Sequence, residues 1–572
     1  MPPPGRVASA LHLRPVGDRA VLVQLANLDQ VLSLHDWLQR HPLPGQVDAV
    51  AAAETVLVTG DSATSALGFA AALRGADLTP VTGTDDALVT LDTVYDGADL
   101  DEVARLTGLS RDAVIAAHSD QVWTAAFGGF APGFAYLVGD ASLAVPRRET
   151  PRPAVPAGAV ALADRFSAVY PRISPGGWRL IGRSNAPLWD LDRAEPALVR
   201  PGNRVRFRSV RELLVTGPDA AEDTSTPDAT AAGAESAFTV LQPGPQTTVQ
   251  DLGRPGFADL GVTPSGALDR GALRRGNRLV GNPATAAVLE NALGGLVLEA
   301  LSEQVLAITG AAVPVAITSA SGAVRPVSRD APFAVHLGDR VALGLPISGM
   351  RCYVAVRGGF AVPPVLGSRS TDTLSGLGPA PLAAGTVLPV LPAPASSVVG
   401  DAETSPPPSP VVTDLRYLPG PRADWISPES LAAFAQTVYT VSAQSNRIGL
   451  RLDGPALSRS SVSAGGGRPA ELPSEGTVNG AIQIPASGLP VLFLADHPVT
   501  GGYPVLGVVL HADLDRAAQL AAGAQLRFVA VADAARPLAD APRCATPAPP
   551  HTRPNPDSNP SPSPNPNPNS EG

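Results

Sequence analysis

The sequence predicts a mainly β protein with an α+β N-terminal part and related β-barrels repeated along the chain. Glycine (56) and proline (61) are abundant enough to demand many turns. From residue 122 onward, short β-prone runs bounded by those residues recur. Two pairs of segments repeat one texture, GGFAPGF against RGGFAVP and RPGNRVRF against LAAGAQLRF. At 572 residues the chain exceeds a single core, and ordinary domain sizes predict about three to five units.

Composition narrows the function. A net charge of −10 argues against nucleic acid as the main partner. No apolar run reaches the length of a membrane span, and the N-terminus lacks the apolar core of a signal peptide. Two distant cysteines, Cys352 and Cys544, give no disulfide framework, so the expected location is the cytoplasm. All 42 basic residues are arginine. The absence of lysine excludes a Schiff-base lysine, a P-loop of the GK[ST] kind and a biotinylated lysine. Phosphates or carboxylates must then be held by arginine, backbone N–H groups or a metal.

Residues 1–90 alternate strand-like runs (20–25, 55–59) with helical ones (31–40, 64–74), a small α+β domain. Residues 91–212 form the first barrel unit. It opens with two short helices around Gly108 in DLDEVARLTGLSRDAVIAAHSD, whose acids oppose a DNA-binding role. AFGGFAPGFAYLVGD (126–140) then sets glycines beside Phe127, Phe130, Phe134 and Tyr136, backbone folded closely around an aromatic cluster that suits a ligand pocket or a barrel core. PRRETPRPAVPAG (146–158) and SPGGWRLIGRS (174–184) bring Arg147, Arg148, Arg152, Arg179 and Arg183, either a cationic rim for an anionic substrate or solvated arginines on turns.

Residues 213–236, small and acidic without periodicity, read as a flexible linker. In the β-rich unit 237–395, Ser265 reads as a helix cap, Arg270, Arg274 and Arg278 fall four apart on one helical face, and Asn282-Pro283 reads as the start of a further helix carrying Glu290. The arginine stripe reads as a solvated face. RGGFAVPPVLGSRSTDTLSGLG (357–378) gathers Ser368, Arg369, Ser370, Thr371 and Asp372, a loop suited to an oxyanion or to a self-capped surface turn.

A Pro/Ser-rich break (396–410) precedes the last β-rich unit (411–532), and 533–572 reads as a disordered tail. Within that unit EGTVNGAIQIPASGLPVLFLADHPVTGGYPVLGVVL (475–510) carries two neighbouring strands at 481–484 and 491–494, with Glu475, Asn479 and Gln483 leading in and Asp496, His497, Thr500 and Tyr503 following the second. Such carboxylates, amides and an imidazole at strand ends suit a polar ligand or a metal, and they suit plain turns equally.

Assembled, these motifs resemble a fusion of the B-type and C-type subunits of 5-oxoprolinase, families also called allophanate hydrolase subunits 1 and 2 and similar to the carboxyltransferase part of urea carboxylase. GFAPGFAYL, VPRRETPRPAVPAG and SPGGWRLIGR carry the B-type resemblance over residues 11–210. GRPGFADLGVTPSGALD, NRLVGNP, VRGGFAVPPVLGSRST, SNRIGLRLDGP and the 475–510 stretch carry the C-type one over 238–531. Two departures stand at Arg165-Phe166-Ser167-Ala168, where the B family usually has Gln-Thr, and at His497-Pro498-Val499-Thr500, where the C family often has Arg-Gln-Thr.

The resemblance implies cyclophilin-like barrels in both halves and ATP-dependent opening of 5-oxoproline to glutamate, with Mg2+ and a separate A-type subunit of 5-oxoprolinase. Assembly into a homo-oligomer is left open. Arg148, Arg152, Arg183 and Arg369 are expected to hold anionic groups, Asp496 and Glu475 to handle a metal or protons, and Gln483 and Tyr503 to orient substrate. Phe130, Tyr136, Trp178, Ser370, Thr371, Asn446 and Arg447 complete the substrate-binding candidates. The competing readings are a carboxyltransferase acting on urea or a related amide with biotin carried elsewhere, and a kinase-inhibitor-type regulator, which fusing an inhibitor to its antagonist disfavours.

Overall fold

The computed structural model describes residues 11–76, 87–148, 150, 152–213, 233–404, 411–460 and 472–531. Most of the expected linker and the whole expected tail lie outside these residues.

Strands β1 (His12–Val16), β2 (Ala20–Gln24), β3 (Gln46–Ala51) and β4 (Thr55–Gly60) form an antiparallel sheet in the order β1-β2-β4-β3. Helices α1 (Leu28–Arg40) and α2 (Ala63–Leu73) start where Asn27 and Ser62 accept the N–H groups of Gln30 and Ser65. Both faces of this sheet are buried, and the two-residue period of its strands divides them. Val21, Val23, Val56 and Val58 face α1, α2 and the aromatic residues of the first barrel unit. Ala20, Leu22, Val50 and Leu57 face the opposite way and pack against Phe493, Val499, Val505 and Val508 of the C-terminal unit. The N-terminal sheet is therefore a shared layer between the two halves of the chain.

The first barrel unit is a seven-stranded sheet that begins with β5 (Leu88–Thr93), paired in parallel with Arg204–Ser209. This strand straddles the expected boundary at residue 90, because its partner lies in the barrel sheet. The helices expected around Gly108 are α3 (Leu100–Thr107) and α4 (Arg111–Ser119), with Gly108 at φ 72 closing α3 as a left-handed cap. Helix α4 is fastened inward by His118, which meets Tyr95 Oη and Ser167 Oγ at 2.8 Å each.

The second half holds a six-stranded and a five-stranded sheet, then a closed seven-stranded barrel. Helix α5 (Arg270–Leu279) buries Ala272, Leu273 and Leu279 against Tyr353 and Ala355. Two expectations are corrected here. The cap of α5 is Asp269, whose carboxylate accepts Ala272 N at 2.7 Å, whereas Ser265 sits four residues earlier at φ 51. No helix carries Glu290: it lies in the strand Val288–Ala292, where buried Val288 and Leu289 favour the pleated sheet. The strands Ala481–Gln483 and Val491–Phe493 are antiparallel neighbours, as the sequence predicts.

Polar contacts join the halves. Asp48 of β3 accepts Ala258 N and Gly256 N at 3.1 Å each, Phe130 N donates to Thr500 Oγ1 at 3.0 Å, and Arg147 Nη2 donates to Ser474 Oγ at 3.2 Å. At Gly128 a Cβ would lie 2.1 Å from the Asp259 carbonyl, so only glycine permits that approach.

Candidate functional site

Between the N-terminal sheet and the second half lies a cavity of about 360 Å3. The first half contributes Asp18 and Arg19 from the β1–β2 turn, Asp48 from β3 and Asp61 after β4; the second contributes Ser265, Arg270, Arg274, Asn479, His497 and His511.

Ser265 forms part of its wall in an unusual backbone conformation for a residue with a side chain, φ 51, and is fully buried. Its hydroxyl donates to Asp496 Oδ1 at 2.6 Å. Asp496 also accepts Thr373 N and Oγ1 at 2.9 and 2.7 Å and Arg447 Nε and Nη2 at 2.9 and 3.0 Å. Burial pushes this carboxyl up, but Arg447 and the hydrogen bonds outweigh it and hold it below the usual range. Arg447 in turn bonds Glu290 and donates to Gly266 O at 2.7 Å, and Glu290 accepts Tyr353 Oη at 2.8 Å. A buried charge network thus stands directly behind the cavity wall, and Ser265, itself part of that wall, links the two.

Arg19, Arg270 and Arg274 make no ion pair with a described carboxylate. Burial chiefly, then Arg274 and Arg19, holds Arg270 below its ordinary basicity. Burial, Arg19, Arg270 and Arg274 together drive His511 down to about 4, so its ring is neutral near pH 7.

The candidates read from sequence separate into four groups. Asp496 and Arg447 are together in the network behind Ser265. Glu475 forms a buried pair with Arg422, whose Nε lies 2.9 and 3.1 Å from the two carboxylate oxygens; nearby, Gln483 Nε2 is buried with no partner, and Tyr503 is exposed. Arg369, Ser370 and Thr371 form a second buried loop: Arg369 N and Ser370 Oγ both donate to Asp251 at 2.6 Å, while Thr371 Oγ1 donates to Pro379 O. That loop is interior, so it is no surface turn, and its donors already face a carboxylate of the protein.

The fourth group belongs to the first barrel unit. Arg148 and Arg152 converge on Asp99 Oδ1 at 2.9 and 2.8 Å, and Arg183 pairs with Asp96 on the surface. Tyr136 and Trp178 are buried in the aromatic cluster, Tyr136 stacked on Phe127 at 4.4 Å, while Phe130 meets Phe134 and Tyr170 edge-on. Asn446 turns its side chain back to Ile448 N. Sequence reasoning missed the cavity arginines. Arg270 and Arg274 were visible as a helical stripe and read as solvated, and nothing in the sequence marks Arg19. Among the described residues no cluster of three His, Cys, Asp or Glu is placed to hold a metal, and no helix is long and apolar enough to cross a membrane.

Comparison with known proteins follows the same division. Residues 11–199 match the model of carboxyltransferase domain subdomains C and D, and residues 260–530 that of subdomains A and B. The second half is 36% identical over 299 residues to the C-type subunit of 5-oxoprolinase from Escherichia coli K12, 51% of this chain and 90% of that one. The first half is 42% identical over 132 residues to the B-type subunit of 5-oxoprolinase from Escherichia coli O157:H7, 22% of this chain and 61% of that protein. A crystal structure of TTHA0988 superposes with a TM-score of 0.74 at 33% identity, covering 91% of this chain and 100% of that one. The chain belongs to the carboxyltransferase-domain family of the B-type and C-type 5-oxoprolinase subunits, with both types joined in one polypeptide and the cyclophilin-like barrel architecture of that family.

Proposed function

We propose that the chain is the fused B-type and C-type component of an ATP-dependent 5-oxoprolinase, converting 5-oxo-L-proline, ATP and water to L-glutamate, ADP and phosphate with a separate A-type subunit. The observation that carries this reading is the cavity lined by both halves, with three arginines free of carboxylate partners and the buried Ser265–Asp496 contact in its wall. A site assembled from both halves explains why the two subunit types act together.

A lactam is a poor electrophile, and ATP supplies the phosphoryl group that activates its oxygen. The guanidinium groups suit phosphate oxygens as well as a carboxylate. A magnesium ion travelling with a nucleotide needs only one or two protein carboxylates, and Asp18 and Asp61 line the cavity. The chain's own part is positioning. Arginines fix the anionic end of the substrate, Ser265 is held as a hydrogen-bond acceptor by donating its proton to Asp496, and the packed layer between the halves limits water. Glu475, Arg369 and Gln483 lie outside the cavity lining, and we assign them to supporting the elements around it.

The test is glutamate formation from 5-oxo-L-proline and ATP by the full chain, with and without its cognate A-type subunit. Turnover only when both proteins and ATP are present supports the reading. Absence of turnover with a demonstrably active A-type subunit, together with carboxyl transfer from carboxybiotin to urea or a related amide, establishes the carboxyltransferase alternative.

A further inference from the structure

We propose that Arg19, Arg270 and Arg274 form an anion seat built across the two halves, taking the carboxylate or phosphoryl group of a small ligand whose amide N–H is accepted by Asn479 Oδ1 and Ser265 Oγ. The assignment rests on the reading that the cavity is where this chain binds its substrate, and it names the class of ligand: a small acid that also carries an amide N–H.

The charge pattern is the first support. Many arginines elsewhere are committed to carboxylates, as Arg148 and Arg152 are to Asp99 and Arg422 is to Glu475, and others, such as Arg254, Arg357 and Arg369, are spent on backbone carbonyls. The three cavity arginines are not, although carboxylates are close. Asp48 is taken by two backbone N–H groups, Asp61 accepts Ser65 Oγ at 2.6 Å, and Asp515 accepts the N–H groups of Arg270 and Gly271 at 2.9 and 3.1 Å. These three carboxylates are thus held by other donors, and Asp18, also in the lining, accepts His511 N at 3.4 Å; none forms an ion pair with the guanidinium groups, which keep N–H donors for an incoming anion.

The second support is how the heads are held. Arg270 and Arg274 are one helical turn apart on α5, on the same face. Arg19 is anchored by donating to Asp61 O at 3.0 Å, while its buried Nε has no partner. Arg270 Nη2 reaches the Ser265 carbonyl at 3.4 Å, which places the cationic group beside the same residue that points its hydroxyl into the wall.

The third support is the acceptor pair. Ser265 Oγ has one proton and two acceptors in the wall, Asp496 Oδ1 at 2.6 Å and Thr371 O at 3.2 Å; the shorter, charged partner takes it, so the remaining capacity of the hydroxyl is to accept. Asn479 Oδ1 is a buried carbonyl oxygen without a hydrogen-bond partner, and such a group is costly to leave unmade. A ligand N–H gives Asn479 Oδ1 the donor it lacks. The cavity, about 360 Å3, is at the small end of ligand pockets and suits a compact acid.

Direct binding tests the seat without turnover. The full chain is titrated calorimetrically with 5-oxo-L-proline, with 2-pyrrolidinone, which keeps the lactam and lacks the carboxylate, and with inorganic phosphate, using wild type, Arg19→Gln and Arg274→Gln. Arg274 is exposed and makes no ion pair, so its variant folds normally and guards against loss of structure. The expected result is binding of 5-oxo-L-proline weakened about ten- to a hundredfold by either substitution, and no binding of 2-pyrrolidinone. Arginine-dependent binding of phosphate alone supports the seat and identifies its anion as phosphoryl. Binding of both anions unchanged in the variants, or no binding of either by wild type, overturns the seat. The 5-oxoprolinase reading fails separately, through absence of glutamate formation, even if an anion binds.

Discussion

Ser265 Oγ and Asp496 Oδ1 lie 2.6 Å apart across 231 residues of chain, joining a turn before α5 to the end of a barrel strand. The bond makes the cavity wall an extension of the buried network through Arg447 and Glu290. The geometry in the cavity therefore depends on groups that never touch its open space.

Asp496→Asn keeps the shape but removes the charge facing buried Arg447. Arg447 keeps Glu290 as its partner, so the loss is that of charge-assisted hydrogen bonds within the network, on the order of 1–3 kcal/mol. Urea unfolding should show a loss of that size together with loss of activity. A variant with wild-type stability and no activity would instead put Asp496 in the chemistry itself.

Ser265→Ala and Ser265→Gly separate hydroxyl from backbone. Both remove the bond to Asp496, and glycine alone relieves the positive φ. Each should change stability by about 1 kcal/mol, with glycine the more stable, and lower kcat/KM for glutamate formation at least about tenfold. Equal activity in all three proteins would show that the hydroxyl plays no part.

The contact between the halves should respond to pH through Asp48. Burial pushes its carboxyl up to about 6 from 3.8, against the pull of two backbone N–H groups. A raised folded value means that the folded state binds the proton more tightly. The contribution is fully present below about pH 4 and is lost as pH rises through about 6. Asp48→Asn should flatten that part of the stability profile, by at most about 3 kcal/mol, when denaturant midpoints are compared between pH 4 and 7.

Leu57 on β4 is fully buried in the layer between the halves. Leu57→Ala should cost about 2–5 kcal/mol by opening a void there, read from urea unfolding. The same change should raise KM, since Leu57 also lines the cavity.

Much of this architecture was legible in the sequence because it is local. Gly108 between two helical runs, the strands flanking Pro485 to Pro490, and the aromatic residues around Gly133 signal their structure by spacing alone. Glu290 was misread because Asn-Pro imitates a helix start, while burial on both sides of Val288 and Leu289 decided for a strand. Ser265 was misread for a related reason: serine before a helix suggests a cap, and only the fold shows Asp269 in that role with Ser265 turned toward a residue 231 positions away. Arg19 gave no signal, since what distinguishes it is the carboxylate it lacks, and that depends on three distant segments meeting.

A crystal structure of the full chain with 5-oxo-L-proline tests the central claim most directly. The account predicts the ligand between the N-terminal sheet and the second half, its carboxylate on Arg19, Arg270 and Arg274 and its lactam N–H toward Asn479 and Ser265. Ligand bound instead at Arg148 and Arg152 of the first barrel, or beside Gln483 and Tyr503 with the cavity empty, would contradict it.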